Sequence, residues 1–149
     1  MNITQTFYDN MASQYDKLFL DWQAATQEQA FILNKLFKDN GFDKSANILD
    51  CACGIGTQAI GLASLGYPVT ASDISDGEIA EAKERAAKNH VKIRFEHADF
   101  RALSETFSEQ FSQVPLLPLD YIQLHPLCIL ELYSYNNNFA SQVCPLHFL

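Results

Sequence analysis

The chain has 149 residues, of which 48% are hydrophobic, and a formal net charge of -8; this length and apolar content suit one globular domain with one core. Its few Lys and Arg residues are dispersed, which argues against binding to the phosphate backbone of nucleic acid. The start of the chain lacks the basic and apolar stretches of a signal peptide, and no run reaches the roughly 18 apolar residues of a membrane span, so we expect a cytoplasmic protein.

Helices are predicted before the first strand. Apolar residues recur at helical spacing over residues 4–20 and predict an amphipathic segment. A second helix is predicted from Trp22 to Asp39, with Gly41 just past its end as a left-handed stop. Its inward side chains are predicted to be Phe31, Ile32, Leu36 and Phe37. We therefore expect residues 1–44 to form N-terminal helices that lead into the core.

From residue 45 the pattern alternates between strands and helices. The predicted strands are Asn47–Asp50, Pro68–Ser72 and Val91–Glu96. The predicted helices between them are Thr57–Leu65, closed by Gly66, and Gly77–Asn89, introduced by the capping pair Ser75 and Glu78. Strands that alternate with helices at this spacing predict an α/β fold with a parallel, doubly wound sheet over residues 45–111.

The composition changes after Phe111. All ten Lys and Arg residues precede it, whereas residues 112–149 hold four of the five Pro residues and only two charged ones. Pro115 and Pro118 fall where a fourth, central strand should begin, and proline cannot donate to a central ladder. This tail is either a product of a shifted reading frame or damaged gene, a divergent substrate region, or an interaction segment. The short length favours the first.

Four cysteines are present, but their spacing does not suggest a metal site. Cys51 and Cys53 form a C-x-C at a predicted strand end, while Cys128 and Cys144 are far along the chain. Without a second Cys or His pair at zinc spacing, we predict no metal and buried, reduced thiols.

An acid and two glycines follow the first predicted strand. Asp50 ends the strand, and Gly54 and Gly56 lie in the turn before the helix, where a side chain would keep a ligand away from the backbone N–H groups. Alone, this pattern also fits a plain strand-to-helix turn. Residues 54–59 even match the G-x-G-x-x-A pattern of dinucleotide-binding proteins.

Two further acids follow the next two strands. Asp73 ends the second strand, where its carboxylate can accept hydrogen bonds from both ribose hydroxyls of an adenosine. Asp99 follows the third strand, where it can accept a hydrogen bond from an adenine amino group, with Phe100 beside the ring. Ligands bind at the carboxyl ends of strands in such sheets, so three acids there predict one ligand site.

The stretches 48–58, 69–75 and 97–101 together resemble the class I S-adenosylmethionine-dependent methyltransferases, especially their glycine/sarcosine N-methyltransferase-like branch. The resemblance covers about residues 7–111 and implies a Rossmann-like fold. It also implies S-adenosyl-L-methionine as cofactor, S-adenosyl-L-homocysteine as product and a small-molecule amine as methyl acceptor. Residues 8–16 and 21–22 look like the family's N-terminal cap, which folds over the cofactor.

The resemblance implies a role for each part of the pattern. Residues of the glycine turn would surround the methionine part of the cofactor: Asp50, Ala52, Cys53, Gly54, Gly56 and Thr57. Asp73 and Ile74 would contact the ribose and adenine, and Asp99 and Phe100 the adenine edge. Tyr15 and Trp22 would close the site from above, or else belong to ordinary aromatic core packing.

The family's fourth motif and its strands five to seven are not recognisable, so no catalytic residue can be named. An enzyme with its catalytic half missing, a non-catalytic module that binds the cofactor or a protein partner, and an NAD-dependent oxidoreductase all stay open. The last is the weaker alternative, because Asp50 stands four residues ahead of Gly54, where it can meet the ammonium of an amino-acid ligand. Loss of the fourth strand would leave the first strand's edge unpaired, which predicts a marginal monomer, or self-association through this edge or through the tail.

Overall fold

A computed structural model describes residues 3–108 and residue 111. The α-helices are α1 (Ile3–Met11), α2 (Trp22–Asp39), α3 (Thr57–Ser64), α4 (Asp76–Lys88) and α5 (Leu103–Thr106). The strands are β1 (Ile48–Asp50), β2 (Val69–Asp73) and β3 (Arg94–His97), and 3-10 turns cover Ala12–Leu18 and Phe100–Ala102. None of the helices described is long and apolar enough to cross a membrane. The predictions for residues 112–149 fall outside the described part of the chain.

The three strands form one parallel sheet in the order β1-β2-β3. Ile48 pairs with Val69, and Thr70 with Arg94, so all three carboxyl ends lie at one edge. This confirms the predicted α/β, Rossmann-like arrangement. In the described part of the chain β1 pairs with β2 alone, which leaves its other edge without a strand.

The third strand begins three residues later than predicted. The residues before this strand form the C-terminal cap of α4. His90 adopts a left-handed φ of 57°, and the Val91 N–H donates to the Ala86 carbonyl at 3.1 Å. This bond pattern closes a helix and turns the chain away from its axis. Val91 therefore belongs to a helix cap, and the strand starts only at Arg94.

The buried face of α2 differs from the predicted one. Phe31 is 68% exposed and Ile32 46% exposed, so the expectation that both point inward is wrong, whereas Phe37 is fully buried as predicted. The buried face is Thr26, Gln29, Ala30, Leu33 and Phe37. This face carries small residues, such as Thr26 and Ala30, where α2 contacts α3. The two helices are so close there that a Cβ on Gly61 would lie 2.7 Å from the Thr26 carbonyl oxygen.

Side chains alternate along β1 and reach two apolar clusters. Ile48 packs on one face of the sheet with side chains of α2 and α3, such as Phe37 and Leu62. Leu49 packs on the other face in a cluster with Cys51, Ala98, Phe107 and Phe111. Apolar side chains therefore cover β1 on both faces, as a strand of a parallel sheet requires.

The N-terminal helix is attached to the start of α4. One carboxylate oxygen of Asp9 in α1 accepts hydrogen bonds from the Ser75 hydroxyl at 2.6 Å and the Gly77 N–H at 3.0 Å. A Cβ on Gly77 would lie 3.0 Å from the Asp9 Cα, so only glycine lets the two helices approach this closely. The N-terminal segment thus packs beside the carboxyl edge of the sheet.

Candidate cofactor-binding site

The turn between β1 and α3 requires both of its glycines. Gly54 and Gly56 have φ values of 51° and 86°, a region that side chains disfavour. A Cβ on Gly54 would also meet a carboxylate oxygen of Glu78 at 2.9 Å, and one on Gly56 would meet Ile60 Cδ1 at 3.1 Å. Neither position can therefore carry a side chain without strain, and the turn leads into the start of α3, where N–H groups and the helix dipole favour a negatively charged group.

Asp73 connects the ends of all three strands. Its Oδ2 accepts a hydrogen bond from the Gly54 N–H at 2.9 Å, and its Oδ1 accepts one from the Ser75 N–H at 3.0 Å. Its backbone carbonyl accepts a bond from the Ala98 N–H, just past β3, at 3.0 Å. Ser75, as expected, caps α4 by accepting from the Glu78 N–H at 3.1 Å. Each Asp73 oxygen keeps a further lone pair, so the carboxylate can still accept hydrogen bonds from a ligand.

Asp50 has an unsatisfied acceptor at the end of β1. The residue is 3% exposed, and its Oδ2 has no hydrogen-bond partner among the described residues. Burial first, and then the neighbouring Asp73 carboxylate, raises the pKa of Asp50 to about 7, against backbone hydrogen bonds from Ala52 and Ala59 that lower it. A buried acceptor without a donor is costly, so the site is suited to a cationic or N–H-bearing group.

Glu78 is a third acid of this site that the sequence analysis treated only as a helix cap. It is 2% exposed, and its Oε1 has no hydrogen-bond partner in the described part of the chain. Its other oxygen lies against the glycine turn, near the position of a Gly54 Cβ. Burial first, then Asp73 and Asp9, raises its pKa to about 8. Its place in the first turn of the helix that follows Asp73 was the signal that could have revealed it.

Asp99 lies at the end of β3, but its carboxylate is engaged locally. It caps the 3-10 turn that begins at Phe100 and accepts hydrogen bonds from the Arg101 backbone N–H and from Arg101 Nε, both at 2.9 Å. The Arg101 guanidinium holds the pKa of Asp99 below its usual range, so the carboxylate stays charged. Phe100 is 43% exposed beside it. Contact of either residue with an adenine edge stays a prediction.

Trp22 contacts the helix that follows the glycine turn. Its indole N–H donates to the Thr57 hydroxyl at 2.9 Å, and the Arg85 guanidinium stacks 4.7 Å from its ring centre. The predicted contact residues Tyr15 and Ile74 are half-buried, whereas Ala52 is exposed. The structure therefore brings Trp22 to one end of the glycine turn, while the closure of a ligand by Trp22 and Tyr15 stays a prediction.

The two cysteines near β1 are free thiols. Both Cys51 and Cys53 are buried, as expected. Burial, together with the Asp50 charge, raises the pKa of Cys51 to about 12 and also raises that of Cys53. They stay protonated and apolar. No group of His, Cys, Asp and Glu side chains in the described residues is arranged to hold a metal ion.

Known methyltransferase sequences are similar to this chain. The chain is 27% identical over 120 residues to a glycine/sarcosine N-methyltransferase of Parasynechococcus marenigrum (strain WH8102), a match that covers 80% of this chain and 41% of that protein. It is 37% identical over 68 residues to an uncharacterized methyltransferase of Schizosaccharomyces pombe, 46% of each chain. The chain thus spans less than half the length of the curated relatives it matches.

The fold also has solved counterparts. Magnesium protoporphyrin IX methyltransferase from Synechocystis PCC 6803, solved with bound S-adenosyl-L-homocysteine, superposes with a TM-score of 0.61 over 75% of this chain and 55% of that one. At 18% identity this likeness confirms the Rossmann-like fold.

A family model described as "Methyltransferase domain" matches residues 48–125, just over half of the chain. The match includes the glycine turn, Asp73, Glu78 and Asp99, and it continues past Phe111 into the segment with the altered composition. The family of S-adenosylmethionine-dependent methyltransferases, expected from the sequence motifs, is thereby confirmed. By its motifs, its fold and this match, the chain belongs to the methyltransferase domain family.

Proposed function

We propose that this chain binds S-adenosyl-L-methionine, and its product S-adenosyl-L-homocysteine, at the carboxyl edge of the sheet as part of a methyltransferase. The observation that carries the proposal is the arrangement of Asp50, Gly54 and Asp73. Asp50 has a buried acceptor with no donor among the described residues, and the Asp73 carboxylate accepts a hydrogen bond from the backbone of the glycine turn. This arrangement lies within a chain of the methyltransferase domain family.

The residues present fit the cofactor on two grounds. The cofactor's methionine part carries an ammonium group, which can satisfy the free Oδ2 of Asp50, and its carboxylate suits the N–H groups at the start of α3. Two ribose hydroxyls can donate to the remaining lone pairs of Asp73. When bound, the cofactor supplies an electrophilic methyl group on its sulfonium.

The remaining predicted contacts complete the proposal. Asp99 and Phe100 would meet the adenine edge and face, and Ile74 would pack on the adenine from the end of β2. Residues of the glycine turn (Ala52, Cys53, Gly56, Thr57) would line the methionine part, and Tyr15 and Trp22 would cover it. No residue is assigned as a catalytic base, because methyl transfer depends mainly on alignment of acceptor and sulfonium, worth roughly 7 to 11 kcal/mol.

For the acceptor we propose a small amine such as glycine or sarcosine. The support is the match to a glycine/sarcosine N-methyltransferase, which extends over 80% of this chain. The acidic composition, with 18 Asp and Glu against 10 Lys and Arg, suits a cationic or zwitterionic acceptor better than nucleic acid. It also suits the cytoplasm, where we propose that the protein acts.

Cofactor binding is tested by calorimetry on Asp73→Asn. Loss of the charged acceptor should weaken binding of S-adenosyl-L-homocysteine at least tenfold, since hydrogen bonds to charged groups contribute about 1.5–3 kcal/mol each. Asp76→Asn is the matched control, because Asp76 is an exposed acid three residues after Asp73, at the start of α4. Native-like folding with undiminished affinity in Asp73→Asn would contradict the proposal.

A non-catalytic cofactor-binding module is the second candidate, because every role proposed above for the described residues is a binding role. Incubation with methyl-labelled cofactor and either glycine or sarcosine separates the two. Labelled product supports the enzyme, whereas tight binding without product supports the module.

We also propose that the chain self-associates along the edge of β1 that has no strand partner in the described part of the chain. An open central strand offers unpaired N–H and C=O groups to a second copy. Sedimentation that shows a monomer at all concentrations would refute this proposal.

A further inference from the structure

Glu78 carries a carboxyl group that is buried against the glycine turn. It is 2% exposed, its Oε1 has no hydrogen-bond partner among the described residues, and its Oε2 would be 2.9 Å from a Cβ on Gly54. Its own backbone N–H is capped by Ser75, but the Ser75 N–H donates to Asp73 and not back to Glu78. The side chain therefore does not complete a capping box, and helix capping does not account for its burial.

In the described part of the chain, the charged groups that act on Glu78 are two acids, Asp73 from β2 and Asp9 from α1. Burial is the main cause that raises the pKa of Glu78 to about 8, and these two acids add to it. The Cys53 thiol lies on the turn side, where Glu78 is among the groups that raise the thiol's pKa. His97 of β3 acts on Asp9. With acids on two sides, Glu78 holds a proton at neutral pH until a positive charge comes near.

We propose that Glu78 determines the specificity of this site for the charge of its ligand: it releases its proton when the sulfonium-bearing S-adenosyl-L-methionine binds and keeps it when the neutral thioether product binds. The inference rests on the proposed function and adds a residue to it. On binding of the cofactor, the O–H bond of the Glu78 carboxyl breaks, the proton goes to solvent, and the carboxylate remains beside the cation.

The physical basis is the charge difference between the two ligands. Both ligands carry the same amino acid and adenosine groups, so their contacts with Asp50 and Asp73 contribute equally to the two affinities. The difference in affinity then depends on the sulfonium charge. A cation near a buried carboxyl favours the ionised form, and each unit by which its pKa falls on binding corresponds to a tenfold gain in affinity. The site would thus favour cofactor over product most strongly above about pH 8, where Glu78 is ionised.

Calorimetry of the full chain in two buffers of different ionisation enthalpy measures the protons released on binding. Near neutral pH we expect up to one proton more to be released with S-adenosyl-L-methionine than with S-adenosyl-L-homocysteine, because any proton that the shared ammonium displaces from Asp50 is released with both ligands. The ratio of the two dissociation constants should change about tenfold in favour of the cofactor between about pH 6 and pH 8. Equal proton release with the two ligands would overturn the proposal.

Two variants test whether Glu78 is the group that releases the proton. Glu78→Gln keeps the shape but cannot ionise, so the ligand-dependent proton release and the pH dependence of the ratio should disappear. Glu84→Gln, an exposed acid on the same helix, should retain both. If the difference in proton release between the two ligands persists in Glu78→Gln but disappears in Asp50→Asn, the assignment to Glu78 is wrong. If Glu78→Gln does not fold, the difference in proton release between the two ligands in the native chain still tests the proposal.

The outcomes separate this inference from the proposed function. If neither ligand binds to the folded native chain, the proposed function fails, and the inference fails with it. If both bind, Asp73→Asn weakens both, and proton release is equal for both, the proposed function stands and the inference alone is refuted.

Discussion

The buried acids make the stability of this domain fall as pH rises. Asp50 and Glu78 have pKa values of about 7 and about 8 in the folded chain, raised from 3.8 and 4.5 mainly by burial. A raised acid pKa means that the folded chain binds more protons than the unfolded one between these values, so the free energy of unfolding decreases with pH in that range. We expect the domain to be more stable near pH 5 than near pH 8.

The magnitude follows from the two raised values. At about 1.4 kcal/mol per pKa unit, the proton on Asp50 contributes roughly 2.5 kcal/mol at pH 5 that is lost by pH 8, and the proton on Glu78 roughly 3.5 kcal/mol. The total loss is roughly 6 kcal/mol, and titration of either group alone would give roughly 2.5 to 3.5 kcal/mol. A typical domain has 5–15 kcal/mol in all, so the loss is readily measured.

Other acids do not cancel this trend. The acids with lowered pKa values are Asp9, Asp43, Glu84 and Asp99. Their stabilising effect is present above their unfolded pKa, near 4, and is lost only as pH falls below it. Between pH 5 and pH 8 they stay ionised in both states. The predicted optimum of stability therefore lies near pH 5.

Urea unfolding of the native chain and of Glu78→Gln at about pH 5 and pH 8 tests the reasoning. Native stability should fall, while Glu78→Gln should lose less over the same range and exceed the native chain at the higher pH. Glu84→Gln serves as the control and should follow the native curve. Native stability that is constant or rises over this range would refute the reasoning.

Two further predictions concern packing. Gly61→Ala would gain about 0.5–1 kcal/mol of helix propensity, but its Cβ would lie 2.7 Å from the Thr26 carbonyl oxygen and 2.8 Å from the Ala30 Cβ. Overpacking of this kind costs about 1–3 kcal/mol, so urea unfolding should show a less stable variant, and a more stable one would contradict the close approach of α2 and α3. Trp22→Phe should cost about 1 kcal/mol, since it removes the hydrogen bond to the Thr57 hydroxyl; unchanged stability would show that this bond contributes nothing.

The order of elements could be predicted because its signals are local. The strands are short apolar runs, and Gly41, Gly54, Gly56 and Gly66 mark turns at which all four adopt positive φ. The parallel order β1-β2-β3 follows from alternation of strands with helices. The edge at which three acids collect then follows from the parallel order.

Long-range contacts could not be predicted in the same way. The sequence of α2 does not indicate that Phe31 and Ile32 are exposed. The face of α2 that is buried is the one that packs closely on Gly61 of α3. Likewise, Asp9 binds Ser75, 66 residues away. Both contacts depend on how helices meet, which a periodic pattern does not encode.

Glu78 was overlooked for a related reason. Three residues after a serine at a helix start, a glutamate is the usual capping partner, and that local interpretation is sufficient by itself. Only the structure shows its carboxyl buried against the glycine turn.

The acids that suit this edge to a cation also weaken the ligand-free chain. Asp50 and Asp73 are buried at adjoining strand ends and Glu78 in the first turn of α4, and two of these three acids have an oxygen with no partner among the described residues. A cation bound there would relieve the repulsion among them, so it would stabilise the folded chain by RT ln(1 + [L]/Kd), about 2.7 kcal/mol at a hundredfold excess over Kd. This gain in the free energy of unfolding would offset part of the stability that the ligand-free chain is expected to lose near pH 8. A site with this composition therefore couples the stability of the fold to the charge of its ligand, and the coupling should be strongest at the pH where the empty chain is weakest.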